Sequence, residues 1–154
     1  MSIKKILIWL PAIVMAMIIF GFSKQDGEES SGLSYKAADI ILTVCDKAGI
    51  IDCNENNRES MIEAVQFPIR KAAHMTEYAI LAFLLYKTFI HKQNPLIKSF
   101  IFTALYACSD EFHQLFISGR AGQIRDVCID STGALIMLLI IYFILKRKDK
   151  KIGS

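Results

Sequence analysis

Three groups of polar residues in this chain have the types and spacings that can do chemistry. The densest is Ser109, Asp110, Glu111, Phe112, His113 and Gln114, which closes an apolar run beginning near Leu96. A second comprises Arg70, Lys71, His74 and Glu77, and a third Arg120, Arg125, Asp126 and Asp130. His74 and Glu77 are three apart, as are Asp110 and His113, while Arg70 and His74, and Asp126 and Asp130, are four apart. Both offsets put side chains on one face of a helix. Ionisable groups inside an apolar segment are costly, so they mark a site facing a bundle interior or a water-filled cavity.

Three chemistries fit these residues. Arg70, Lys71, Arg120 and Arg125 suit an anion, with arginine forks gripping a phosphate through paired hydrogen bonds. His74 and His113 with Glu77, Asp110 or Asp130 form a donor set for a divalent metal, or for acid–base catalysis. No His-Glu-x-x-His run accompanies them, and nothing like a nucleophile elbow surrounds Ser109 or Ser131. The third is a structural network: Glu77, Asp110, Glu111, Asp126 and Asp130 oppose Arg70, Lys71, Arg120 and Arg125 closely enough to brace a bundle without any ligand.

The elements that must position these groups follow from hydropathy. The 154-residue chain is 53% hydrophobic, with a mean hydropathy of +0.38, above the usual soluble range. Its apolar residues fall in blocks at 6–22, 72–90, 96–117 and 127–145, each long enough for a helix across a ~30 Å hydrocarbon core. The reading is one domain over 1–154: an all-α membrane protein with four transmembrane helices. The first block exceeds a secretory h-region and no Ala-x-Ala site follows, so it is read as an uncleaved span. Lys4 and Lys5 precede the first block, His91, Lys92 and Lys98 lie between the second and third, and Lys146, Arg147, Lys148, Lys150 and Lys151 follow the fourth. The excess of Lys and Arg on cytoplasmic loops puts both termini inside. All three polar groups then fall within about two turns of the outer surface. The basic balance reflects this topology; no basic stripe interleaved with aromatics points to nucleic acid.

The outer segment, 23–71, is rich in acid, and reads as an amphipathic helical lid, with a mobile acidic loop as the alternative. Helical spacing runs from Leu33 to Ala48, with Ser30 or Ser31 as cap and Gly49 at the exit. A short helix over 59–66 is expected to end at Phe67-Pro68, since the residue before proline disfavours helix. Asn94-Pro95 makes the inner turn and the stretch Ser118, Gly119, Arg120, Ala121, Gly122 the outer one. Cys45 and Cys53 stand where a disulfide is chemically permitted, open either way. Cys108 and Cys128 read as small apolar residues buried within the third and fourth spans.

These residues also resemble the VanZ-like family nearly end to end. Phe22-Ser23-Lys24-Gln25 is similar to its Phe-Ser-x-Gln motif, and Arg70 to Tyr78 to its Arg-Lys-x-x-His-Phe-x-Glu-Tyr motif, with Met75 where phenylalanine is usual. Ser109 to Gln114 resembles Ser-Asp-Glu-x-His-Gln; Gly119-Arg120, Arg125-Asp126, Asp130 and Gly133 resemble the remainder. The resemblance implies a small bacterial multi-pass membrane protein acting near envelope lipids or lipid-linked cell-wall precursors, in a family whose namesake is associated with reduced teicoplanin susceptibility. It implies no established reaction or cofactor.

Overall fold

A computed structural model of the protein describes residues 3–25, 27–119 and 122–152. Among the described residues there are five α-helices and no strand: α1 Ile3–Ser23, α2 Gly27–Lys47, α3 Arg58–Phe89, α4 Pro95–Gln114 and α5 Ile124–Ile152. The four apolar blocks fall on α1, α3, α4 and α5. α4 stops at Gln114, so Leu115, Phe116 and Ile117 belong to the following turn.

Pairings between side chains give the helix directions. Trp9 packs on Phe89, whereas Phe20 packs on His113 and the Tyr106 hydroxyl donates to the Ala16 carbonyl. α1 is therefore antiparallel to α3 and parallel to α4. Lys71 meets Asp126, while Ala82 and Tyr86 cluster with Leu138 and Ile141, so α3 and α5 run together. The start of α1, the 90–94 turn and the end of α5 share one end of the bundle; the polar groups occupy the other.

Small residues let the helices approach. A methyl group added at Gly133 would collide with the Met75 carbonyl, so α5 meets α3 backbone to backbone there. Ala82, Ala107, Ala134, Ser99 and Thr103 are buried in the same interior, the pattern of small residues at close helix contacts. Asn94 at φ 52° turns the chain left-handed and Pro95 opens α4, where a missing N–H costs nothing.

The segment before the second block differs from expectation. Pro68 does not end a short helix; α3 runs unbroken from Arg58 through Pro68 to Phe89. One helical hydrogen bond is lost there, and packing of Ile62, Val65 and Ile69 against Ala38 and Leu42 of α2 offsets it. α2 begins at Gly27, so Ser30 and Ser31 lie inside the helix instead of capping it. Its exit matches expectation: Gly49, at φ +70°, donates to the Asp46 carbonyl and Ile50 to the Cys45 carbonyl, a Schellman ending. Arg58 binds Asp39 at 2.6 Å and Thr43, and Tyr35 donates to Glu59 at 2.8 Å, which tie α2 to α3.

Cys45 and Cys53, open either way from the sequence, are both free. Cys108 and Cys128 differ from expectation: they are exposed on the outside of the bundle instead of buried in it. Helix phase explains the second pair: the inner faces of α4 and α5 are taken by Ala107, Asp110, Asp130 and Ala134.

Candidate functional site

The site is built on α3, where Arg70, His74 and Glu77 rise along one face at helical spacing. α4 presents Asp110, Glu111 and Gln114, all buried, toward this face. α5 brings Asp126 and Asp130. The three helices thus gather Arg70, Lys71, His74, Glu77, Asp110, Glu111, Gln114, Asp126 and Asp130. Arg120 lies outside the described residues, as does Ala121.

Each charged group is held differently. Lys71 Nζ pairs with Asp126 at 2.6 Å, with each side chain about a fifth exposed (18% and 19%). His74 Nδ1 stands 3.9 Å from Glu77 Oε2, an ion pair only when the imidazole is protonated. Glu111 Oε2 accepts from the Gln123 backbone N–H at 2.9 Å, which pins the start of α5 to α4. Gly122 makes this approach feasible, because a side chain there would meet the Glu111 carbonyl and Leu115. Gln114 donates to Asp110 Oδ2 at 3.1 Å; Asp110 Oδ1 is buried without a partner, and the Tyr78 hydroxyl faces this carboxyl without a well-formed hydrogen bond. Asp130 is 2% exposed and takes no hydrogen bond or ion pair among the described residues.

Two cavities meet at α3. The first, a polar chamber of about 180 Å³, is bounded by Arg70, Lys71 and His74, by Glu111 and Gln114, and by Gln123, Asp126 and Asp130, with Phe67 and Gly119 at its edge. The Phe67 ring carries two cations, Lys71 Nζ at 5.3 Å and the Arg125 guanidinium at 5.8 Å. The second, an apolar cleft of about 280 Å³, lies beneath α2 between Phe22, Leu33, Ala37, Ile69 and Ala73, with Gln25, Ser30, Ser34 and Glu77 as its polar fringe. Arg70 and His74 line both cavities.

Several placements depart from the sequence reading. His113 does not join His74; its ring packs on Phe20 at 4.7 Å and lines neither cavity. Arg70 reaches α2, donating to Ser31 Oγ at 2.9 Å and Ser34 Oγ at 3.1 Å, and Gln66 donates to the same serines' region at Ser31 O and Ser34 Oγ. Among the described residues no three His, Cys, Asp or Glu side chains stand where they could hold a metal ion, so His74, His113, Glu77 and Asp110 are not assembled as a metal set. Sequence reading missed Ser31, Ser34, Gln66, Phe67 and Gln123. Ser31 and Ser34 lie three apart on α2, and Gln66 and Arg70 four apart on α3, so the available signal was two polar pairs on facing amphipathic helices.

No curated protein and no solved structure matches the chain. A family model described as VanZ/LLP1 matches residues 8–146, a stretch that contains all of the groups gathered above. The chain belongs to the VanZ/LLP1 family.

Proposed function

We propose that this is a multi-pass bacterial membrane protein whose chamber binds the phosphate-bearing head of an envelope lipid or a lipid-linked cell-wall precursor at the outer leaflet. The carrying observation is the position of the polar chamber at one end of a bundle whose exterior is apolar. Leu7, Ile13, Met17, Ile101, Leu105, Ile136, Ile140 and Phe143 are all exposed on α1, α4 and α5. An apolar surface this extensive marks contact with another phase or partner. Among the described residues one helix segment, Ile124–Lys150, is long and apolar enough to cross a membrane, with mean hydropathy 2.2, and Leu7–Ser23 is a shorter apolar helix. In α3 and α4 the site's own charged residues dilute the apolar run.

In this reading α1, the second part of α3, α4 and α5 cross the bilayer with both termini inside, and α2 with the first part of α3 lies along the outer face. The basic residues at 91–98 and 146–151 fall at the end opposite the chamber, in keeping with the positive-inside rule. Lys71 and Arg125 at Phe67 give the chamber a cationic rim for phosphate. An effect on glycopeptide susceptibility follows if the bound lipid is a wall precursor.

Native mass spectrometry of the purified protein tests the binding: paired Lys71→Gln and Arg125→Gln should abolish co-purifying phospholipid, and unchanged lipid content sinks the reading. Reporter fusions after Lys24 should report outside, and after Lys92 or Lys146 inside. A second reading, a ligand-free brace, draws on the Lys71–Asp126 pair; it leaves Asp130 without a role.

A further inference from the structure

We infer that chamber and cleft form one site for an amphiphile whose head carries an amine as well as a phosphate and whose hydrocarbon chain lies beneath α2. This rests on the lipid-head reading above and specifies the ligand's other two parts.

The charges of the chamber are sorted by depth. Lys71 and the exposed Arg125 flank Phe67 at the rim, while Arg70 turns its guanidinium away to Ser31 and Ser34 of α2. The chamber's floor is acidic: Glu111 and Asp130 are 6% and 2% exposed. Lys71 neutralises Asp126, and Glu111 is engaged by the Gln123 amide. Asp130 is left lining the chamber with neither a hydrogen bond nor an ion pair among the described residues. A buried carboxyl without a partner is costly as the ion, so an ammonium placed beside it by a ligand would be strongly favoured. A phosphate alone would add negative charge above an acidic floor. A head bearing both groups places its phosphate at the rim and its ammonium at Asp130.

The cleft supplies the remainder. It shares Arg70 and His74 with the chamber, so a molecule that displaces these two side chains would reach both. Its lining by Phe22, Leu33, Ala37, Ile69 and Ala73 offers no partner to a polar chain and suits methylenes, each worth about 0.8 kcal/mol on burial. The serine latch from Arg70 to Ser31 and Ser34 holds α2 over it.

Three probes separate the parts with the full-length protein in detergent: phosphatidylethanolamine, its N-acetylated form, which keeps the phosphate but loses the ammonium, and phosphoethanolamine, which lacks the chains. Native mass spectrometry should find phosphatidylethanolamine bound at least ~10-fold more tightly than the N-acetylated lipid, the scale of one charge-assisted contact. Asp130→Asn should bring that ratio near one. Ala37→Trp should weaken both lipids ~10-fold and leave the ratio intact. Equal binding of the two lipids by the unmodified protein overturns the amine assignment while the phosphate-head reading stands. Phosphoethanolamine binding as tightly as the whole lipid, or a silent Ala37→Trp, overturns the chain assignment. Failure of all three probes to bind removes this inference and the lipid-head reading together. The lipid comparison on the unmodified protein decides the amine question even where a variant does not fold.

Discussion

The α2–α3 hairpin and the bundle below it use the same residue types in opposite ways. In the hairpin each of three acids has its donor: Asp39 takes Arg58, Glu59 takes the Tyr35 hydroxyl, and Asp46 takes the Cys53 backbone N–H. The Asp39 and Arg58 side chains are more than a third exposed, so water shares the work. In the bundle Asp110 and Asp130 are nearly sealed from solvent, and among the described residues neither meets a cation within ion-pair distance. Paired acids at the surface hold two helices together. In the bundle Asp110 takes only the Gln114 amide among the described residues, and Asp130 takes no side chain there.

That contrast can be broken or sharpened by substitution, with thermal unfolding of the purified protein as the measure. The largest effect is expected at Asp126, the bundle acid paired with a lysine. Lys71→Met strands Asp126 and should cost about 2 kcal/mol, and adding Asp126→Leu should recover most of it. Next, and opposite in sign, Asp130→Asn should stabilise the ligand-free protein by about 1 kcal/mol, since a buried charge without a partner is removed. A loss there instead would mean that Asp130 is a brace. Asp39→Asn should cost about 0.5 kcal/mol, the scale of a solvent-screened pair. The smallest effect is at Tyr35, whose hydrogen bond to Glu59 raises the phenol above its ordinary value. That contribution is present below about pH 10 and fades as pH rises through the raised value; Tyr35→Phe should flatten the alkaline limb of the stability profile.

Much of this arrangement was legible in the sequence because helical spacing fixes which residues share a face. Arg70, His74 and Glu77 rise together on α3, Asp126 and Asp130 together on α5, and Gly49 ends α2 with a left-handed turn. Spacing does not say which neighbour a face meets. His113, three residues from Asp110, is turned about 60° from it, enough to carry its ring to Phe20 of α1 while Asp110 stays inside. Pro68 was misleading for a similar reason: local preference argues for a break, and packing of Ile62, Val65 and Ile69 on α2 outweighs it. Cys108 and Cys128 carry no phase signal of their own, since a small thiol fits an apolar exterior as readily as an interior.

Gly133 does not line the chamber, yet it sets how closely α5 can approach α3 beside it. It lies about two turns along α5 from Asp126 and presses directly on the Met75 carbonyl of α3. The two helices touch along their length, from Lys71 and Asp126 to Tyr86 and Ile141, and Gly133 is where their backbones meet. A single methyl at Gly133 would act as a shim, spreading the walls that carry Lys71 and Asp126. The spacing of the chamber's two walls would then depend on a residue that has no side chain and does not line it.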